Sequence, residues 1–176
     1  MELSSMSQDE LLALGLLAGG LVLAALKFGW LMFRMNLNAE AFTSAVHKLI
    51  DAGDLDRAVK LCRAVPGALV TSGTLDMLQA HQNGDRDSAS LREAFERGTG
   101  GTTEKLKKLG WAPPLAIAAA AAGLYLLHRA GIPFQPYHLG LGGAALFLVV
   151  LTYRQQASIK KTTLAARDAI IEKLSA

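Results

Sequence analysis

The residues of this 176-residue chain that could take part in chemistry are few and scattered. Cys62 is the only cysteine, which excludes an internal disulfide and a CxxC zinc site, and no histidine stands at a useful spacing from it. We find no nucleophile–base pair, metal-ligand cluster or phosphate-binding loop in the sequence. We therefore expect neither an enzyme nor a cofactor, and we interpret Cys62 as a small apolar residue on one face of a helix.

Two titratable residues lie inside or beside long apolar runs. His128 could exchange protons near neutral pH, or it could be an ordinary interfacial histidine next to Arg129 at a helix end. Lys27 could be a functional charge inside a membrane, or its long side chain could extend to the lipid headgroups. For both residues we favour the second interpretation.

Three apolar runs must position these residues, and each predicts a membrane-spanning helix. The first, Leu11–Phe33, would extend roughly 34 Å as a helix, enough to cross a bilayer. It follows acidic rather than basic residues, which argues against a cleaved signal peptide. The second and third, Trp111–Leu127 and Leu139–Tyr153, would extend roughly 22–26 Å. Because neither contains an acidic residue or a lysine, two spans are favoured over a buried or re-entrant hairpin.

The predicted fold class is an all-α membrane protein with three transmembrane helices, a helical cytoplasmic insert and a C-terminal cytoplasmic helix. Its segments are an N-terminal tail (1–10), a first span (11–33), a cytoplasmic helical domain (34–110), a second span with an outer turn (111–134), a third span (135–153) and a cytoplasmic amphipathic helix (154–176). Lysine and arginine concentrate after the first span, before the second and after the third. The N-terminus is therefore predicted outside and the C-terminus in the cytoplasm.

Capping residues divide the central segment into short helices. Asn38 and Asp54 are predicted N-caps, and Gly53 suits the left-handed position after the first of these helices. Pro66-Gly67 is expected to end the second helix. The net charge of +3 is small and no basic tract is rich enough to indicate nucleic-acid binding.

Two further predictions concern the second half of this segment. The sequence "SLRE" has capping-box spacing, which indicates that a helix opens or is reinforced at Ser90. The glycine-rich stretch Arg97–Thr103 is expected to loosen or break that helix, since each glycine costs about 1 kcal/mol in a helix interior. A last amphipathic piece is predicted over Glu104–Leu109, before the second span.

The best local signature is "AGDLDRAVKLCRAVPG", Ala52 to Gly67. With "NLNAEAF" before it, "SLREAFER" after it and the order span, helical insert, two spans and helical tail, it resembles the MotA/TolQ/ExbB family of proton-channel subunits. Family members follow the first membrane helix with a short helix, a turn of the type "AGD" and a helix ending in "ALCRA.PG". The resemblance implies a homo-oligomeric ring, commonly a pentamer, in the lipid bilayer of the bacterial inner membrane.

The same resemblance implies a partner with a single membrane helix, of the ExbD, TolR or MotB type, which supplies the proton-carrying carboxylate. Ion flow would then drive transport or mechanical work. Active members carry threonine or serine on the second and third membrane helices, whereas this chain has neither from Trp111 to Leu151. Leu127 stands at one hydroxyl position of the family, and Leu139 or Gly140 lies near the other. We therefore predict weak or no proton conduction by this chain alone.

Small residues on the second and third spans are the candidates for lining a pore or packing helices. The candidate set, with Leu127, is Ala118, Ala122, Gly123, Gly140, Gly143 and Ala144. Such surfaces allow close helix association in lipid, either between subunits or within one chain. The alternative function is a non-conducting, membrane-anchored helical adaptor whose cytoplasmic insert binds proteins.

Overall fold

The computed structural model describes residues 7–34, 37–107 and 110–175, and every regular element in these ranges is an α-helix. The helices are α1 (Gln8–Arg34), α2 (Ala39–Asp51), α3 (Leu55–Ala64), α4 (Leu69–Gln82), α5 (Ser88–Lys107), α6 (Ala112–Arg129) and α7 (Pro136–Ser175). The all-α prediction is confirmed for this part of the chain. The helices divide into two compact units. A three-helix unit contains α1 to Leu31, α6, and α7 to Gln155; a five-helix unit contains α2 to α5 and the rest of α7.

Two helices of the described residues, α1 and α7, are long and apolar enough to cross a membrane. Only 28% of the apolar window in each is buried within the chain, whereas the core helix of a soluble protein would be mostly buried. Strongly exposed large apolar side chains concentrate on the three-helix unit; elsewhere in the described ranges they are Met32, Phe33 and Leu164. Exposed apolar surface of this extent is typical of membrane or protein contact.

The helix α6 does not meet the same criteria, although it lies within the predicted second span. It has 18 residues, carries Pro113 and Pro114 in its first turn and ends with His128-Arg129. These four residues lower its mean hydropathy. Membrane-spanning character is therefore supported for two of the three predicted helices.

Close backbone contacts at glycines hold α1 and α6 together within the three-helix unit. A Cβ atom on Gly20 would lie 2.9 Å from the carbonyl oxygen of Ala116, and one on Gly123 would lie 2.9 Å from that of Ala13. Neither position tolerates a larger residue without a backbone shift. Small residues at such contacts let helices approach closely, which is the main source of helix association where lipid surrounds the protein.

The capping predictions for the five-helix unit are confirmed. Asn38 accepts a hydrogen bond from the Ala41 amide and Asp54 accepts one from the Arg57 amide, each at 3.1 Å. Gly53 adopts φ +71°, in the left-handed region. The apolar faces of α2 to α5 then share one core with the C-terminal part of α7, including Phe42, Val46, Ala58, Val59, Cys62, Met77, Leu78, Leu91, Phe95, Ala166, Ile170, Ile171 and Leu174.

The predicted break at Arg97–Thr103 is wrong, because α5 continues from Ser88 to Lys107. Packing against α4 explains the continuity. A Cβ on Gly98 would lie 2.5 Å from the carbonyl oxygen of Ser72, so glycine permits a backbone approach that no other residue allows. The helix also starts before Ser90, whose amide donates to Asp87 Oδ2 at 3.2 Å. The predicted piece ending at Leu109 continues α5 to Lys107, and its last residues lie outside the described ranges.

Cys62 is 2% exposed, in keeping with the apolar role predicted for it. Burial raises the pKa of its thiol to about 12, from a usual value of 9.0. We expect the folded chain to resist thiol reagents at neutral pH and to react on denaturation, whereas a cysteine replacing the exposed Lys60 on the same helix reacts at once.

The raised pKa of Cys62 also predicts how the free energy of unfolding changes at alkaline pH. The folded thiol keeps its proton up to about pH 12, whereas the unfolded thiol loses it near pH 9. The free energy of unfolding therefore falls as the pH rises between these two values. Cys62→Ala should remove this part of the pH dependence. For the labelling prediction, rapid reaction of Cys62 in the native chain at neutral pH, detected by mass spectrometry, would contradict its burial.

Candidate functional site

A buried polar cluster in the three-helix unit joins the first turn of α1 to the first turn of α7. The Tyr137 hydroxyl donates to Glu10 Oε1 at 2.8 Å, and His138 Nε2 lies 3.8 Å from the same oxygen. The rings of Tyr137 and His138 are in contact, with centroids 4.2 Å apart. The His138 side chain is completely buried, whereas that of Glu10 is 18% exposed. The cluster therefore combines a carboxylate that water can reach with an imidazole that it cannot.

Helix capping fixes the orientation of the imidazole. The His138 amide donates to the carbonyl oxygen of Gln135 at 3.0 Å, and the Gln135 amide donates to His138 Nδ1 at 3.2 Å. The bond from the Gln135 amide to the imidazole corresponds to the one that the glutamate of a capping box makes, whereas the other bond of the pair is between backbone groups. Because Nδ1 accepts a hydrogen bond, the proton of the neutral ring is on Nε2, which faces Glu10.

The carboxylate itself is positioned by the start of α1. Ser7 precedes the helix, and the Glu10 amide donates to Ser7 Oγ at 3.2 Å. The Glu10 side chain accepts from Tyr137 in the N-terminal turn of α7, where the helix dipole favours negative charge. Nε2 of His138 has no hydrogen-bond partner in the described part of the chain, since its distance to Glu10 exceeds hydrogen-bond length.

The predicted packing residues separate into two groups. Gly123 and Leu127 are buried within the three-helix unit, where Leu127 packs in a cluster with Ala13, Leu17 and Ala120. The other five candidates are exposed on the single chain: Ala118, Ala122, Gly140, Gly143 and Ala144. At Gly140 and Gly143 an added Cβ would meet no atom within 4 Å. The same residue types thus pack the chain internally on one side and face outward on another.

The two titratable candidates behave differently. His128 is exposed in the last turn of α6, where an interfacial histidine is expected. Lys27 is 1% exposed, and its Nζ lies 5.0 Å from the centroid of the Trp30 ring. The headgroup interpretation of Lys27 is therefore wrong, because the side chain folds against its own chain in a cation–π arrangement.

Sequence reasoning missed the polar cluster and one hydroxyl. Thr152 directly follows the stretch that lacks serine and threonine and is 1% exposed, but its hydroxyl donates to the carbonyl oxygen of Leu148 at 2.8 Å. That hydrogen is thus used within α7. The available signals for the cluster were the spacing Ser7-x-x-Glu10, which resembles a capping box, and the start of a helix at Pro136.

Among the described residues, no three His, Cys, Asp or Glu side chains come together as metal ligands. Comparison of the chain with protein-family models, with curated proteins and with solved structures gives no match. The family resemblance therefore rests on the sequence motifs and on the order of the helical segments.

Proposed function

We propose that this chain is a ring-forming membrane subunit of the kind that its resemblance to the MotA/TolQ/ExbB family implies. In this proposal α6 is a third span beside α1 and α7, and the protein resides in the bacterial inner membrane. Its N-terminus lies outside, and the five-helix unit lies in the cytoplasm. Several copies, five in the usual family arrangement, surround a partner with one membrane helix. No enzymatic reaction is assigned to the chain.

The observation that carries this proposal is that small residues of the three-helix unit fall into two sets, one in contacts within the chain and one exposed. Gly20 and Gly123 make the internal contacts between α1 and α6. A second set remains open: Gly140, Gly143 and Ala144 recur at three- and four-residue spacing on α7, which places them on one helix face. Because smooth surfaces favour helix association in lipid, this face is suited to a neighbouring subunit or a partner helix.

In this proposal the ion-carrying carboxylate comes from the partner. A proton that crosses 100 mV releases about 2.3 kcal/mol, so several must pass for useful work. The stretch Trp111–Leu151 contains no serine or threonine, and the hydroxyl of Thr152 is bonded within its helix. We therefore expect flux to require the partner.

The absence of serine and threonine from that stretch also favours the second candidate, a non-conducting membrane-anchored adaptor. In that case the five-helix unit would be the binding domain and α1, α6 and α7 would serve as its anchor. Both candidates share the membrane location and differ in flux.

Oligomeric mass separates these alternatives most directly. We expect the chain purified in mild detergent to run as a multimer, with about five copies if the family arrangement holds, measured by light scattering with detergent correction. A monomer would contradict the ring. Proton flux in liposomes should be weak for the chain alone and should rise when a single-helix partner is added; a ring with no flux under either condition would favour the adaptor.

A further inference from the structure

We propose that Glu10, Tyr137 and His138 form a proton-controlled latch within the chain itself. Glu10 binds a proton reversibly, and while it is ionised it ties the first turn of α1 to the first turn of α7. This site is separate from the carboxylate that the proposed function assigns to a partner, and it does not depend on ring formation.

The geometry selects Glu10 as the group that takes up the proton. Its carboxylate is partly exposed and accepts the Tyr137 hydroxyl at 2.8 Å. His138 presents Nε2–H toward the same oxygen, because Nδ1 already accepts the Gln135 amide. A second proton on the imidazole would have to displace that amide and open the cap of α7. The imidazole therefore serves as a fixed donor, and the carboxylate is the site open to water.

Proton uptake removes what holds the latch closed. A proton from water forms an O–H bond with the carboxylate, and Glu10 becomes neutral. The neutral group accepts more weakly from Tyr137 and no longer interacts with the positive end of the α7 dipole. The buried His138 Nε2–H then no longer faces the negative charge of Glu10. Release of the proton restores all three interactions, so the change is reversible.

The other charged groups at this end of the three-helix unit lie on its surface. Asp9 is the exposed neighbour of Glu10 on α1. On α6, His128 and Arg129 are exposed, and Arg129 lines a pocket of about 260 Å³ together with Asp9. None of them has a hydrogen bond or ion pair to Glu10 among the described residues. Asp9 is thus a matched control: the same chemistry one residue away and outside the latch.

The latch can be tested by distance measurements between α1 and α7. Cysteines replacing the exposed Leu12 and Leu146 accept spin labels, while the buried Cys62 is expected not to react at neutral pH. Labelled chains are diluted into an excess of unlabelled chain, so that only distances within one chain are read. We expect a narrow distribution at neutral pH that broadens in acid, where carboxylates take up protons. Glu10→Gln should be broad at both pH values, and Asp9→Asn should follow the parent chain.

A parent-like pH response in Glu10→Gln would overturn the proposal, as would an equal loss of response in Asp9→Asn. If Glu10→Gln does not fold, as judged by circular dichroism, Tyr137→Phe removes only the hydroxyl and should already broaden the distribution at neutral pH; a narrow distribution there also overturns the latch. A monomeric chain that keeps the response would contradict the ring and support the latch, so the two proposals fail separately.

Discussion

Replacing Gly98 with alanine is expected to destabilise the five-helix unit by up to about 2 kcal/mol, even though alanine is the better helix former. The new Cβ would lie 2.5 Å from the Ser72 carbonyl oxygen and 3.0 Å from the Asp76 side chain. The first of these is backbone and cannot rotate away, so α4 and α5 must separate. Overpacking of this kind costs about 1–3 kcal/mol, and the helix propensity of alanine returns about 1 kcal/mol of it.

Two glycines on the same helix provide the control. Gly100 and Gly101 are exposed, and an added Cβ on either would meet no atom within 4 Å. Gly100→Ala and Gly101→Ala should therefore stabilise the chain by about 0.5–1 kcal/mol, through helix propensity alone. Denaturant unfolding of the full chain in detergent, followed by circular dichroism, measures all three. Equal stabilisation by all three substitutions would show that α5 does not approach α4 at Gly98.

This contrast shows which parts of the fold local sequence can determine. Asn38, Gly53 and Asp54 were assigned correctly because a cap depends on residues within about three positions along the chain. The continuity of α5 depends instead on Ser72, which is 26 positions before Gly98 and meets it only after folding. Propensity alone predicted a break, and the tertiary contact outweighs it.

The candidate site shows the same limit more strongly. Glu10 and Tyr137 are 127 positions apart, and each borders an apolar run without any local sign of pairing. The sequence drew attention to His128 at the end of α6, yet His138 is the histidine that is buried. The Lys27 side chain differs, because it lies over the Trp30 ring only three residues further along the same helix. Partners that lie far apart in sequence decide the burial of the cluster of Glu10, Tyr137 and His138.

The sequence marks small residues as packing candidates but does not assign their neighbours. Gly142 and Gly143 are adjacent on α7, but a Cβ on Gly142 would contact Leu17 at 3.5 Å, whereas one on Gly143 would meet no atom within 4 Å. A helix turns about 100° per residue, so adjacent positions face different surroundings. This pair separates packing within a chain from packing between chains.

Gly143→Leu is expected to abolish assembly while leaving the fold of the single chain intact. The bulky side chain would stand on the open face of α7 and hold a neighbouring helix away, and helix association in lipid depends on close backbone approach. Light scattering should show the multimer replaced by monomer, with an unchanged circular dichroism spectrum and thermal midpoint for the helices. Gly143→Ala, which adds one methyl group, should weaken assembly less.

Gly142→Leu is the matched control, because its side chain is directed at Leu17 of the same chain. It should lower the thermal midpoint of the three-helix unit, and any loss of assembly should accompany that loss of stability. Gly143→Leu should instead abolish assembly without lowering the thermal midpoint. If Gly143→Leu keeps the multimer, this face of α7 does not carry assembly, and the exposed small residues Ala118 and Ala122 on α6 are the next candidates. In that case leucine at Ala118 and Ala122 should disrupt the ring, although Gly143→Leu does not.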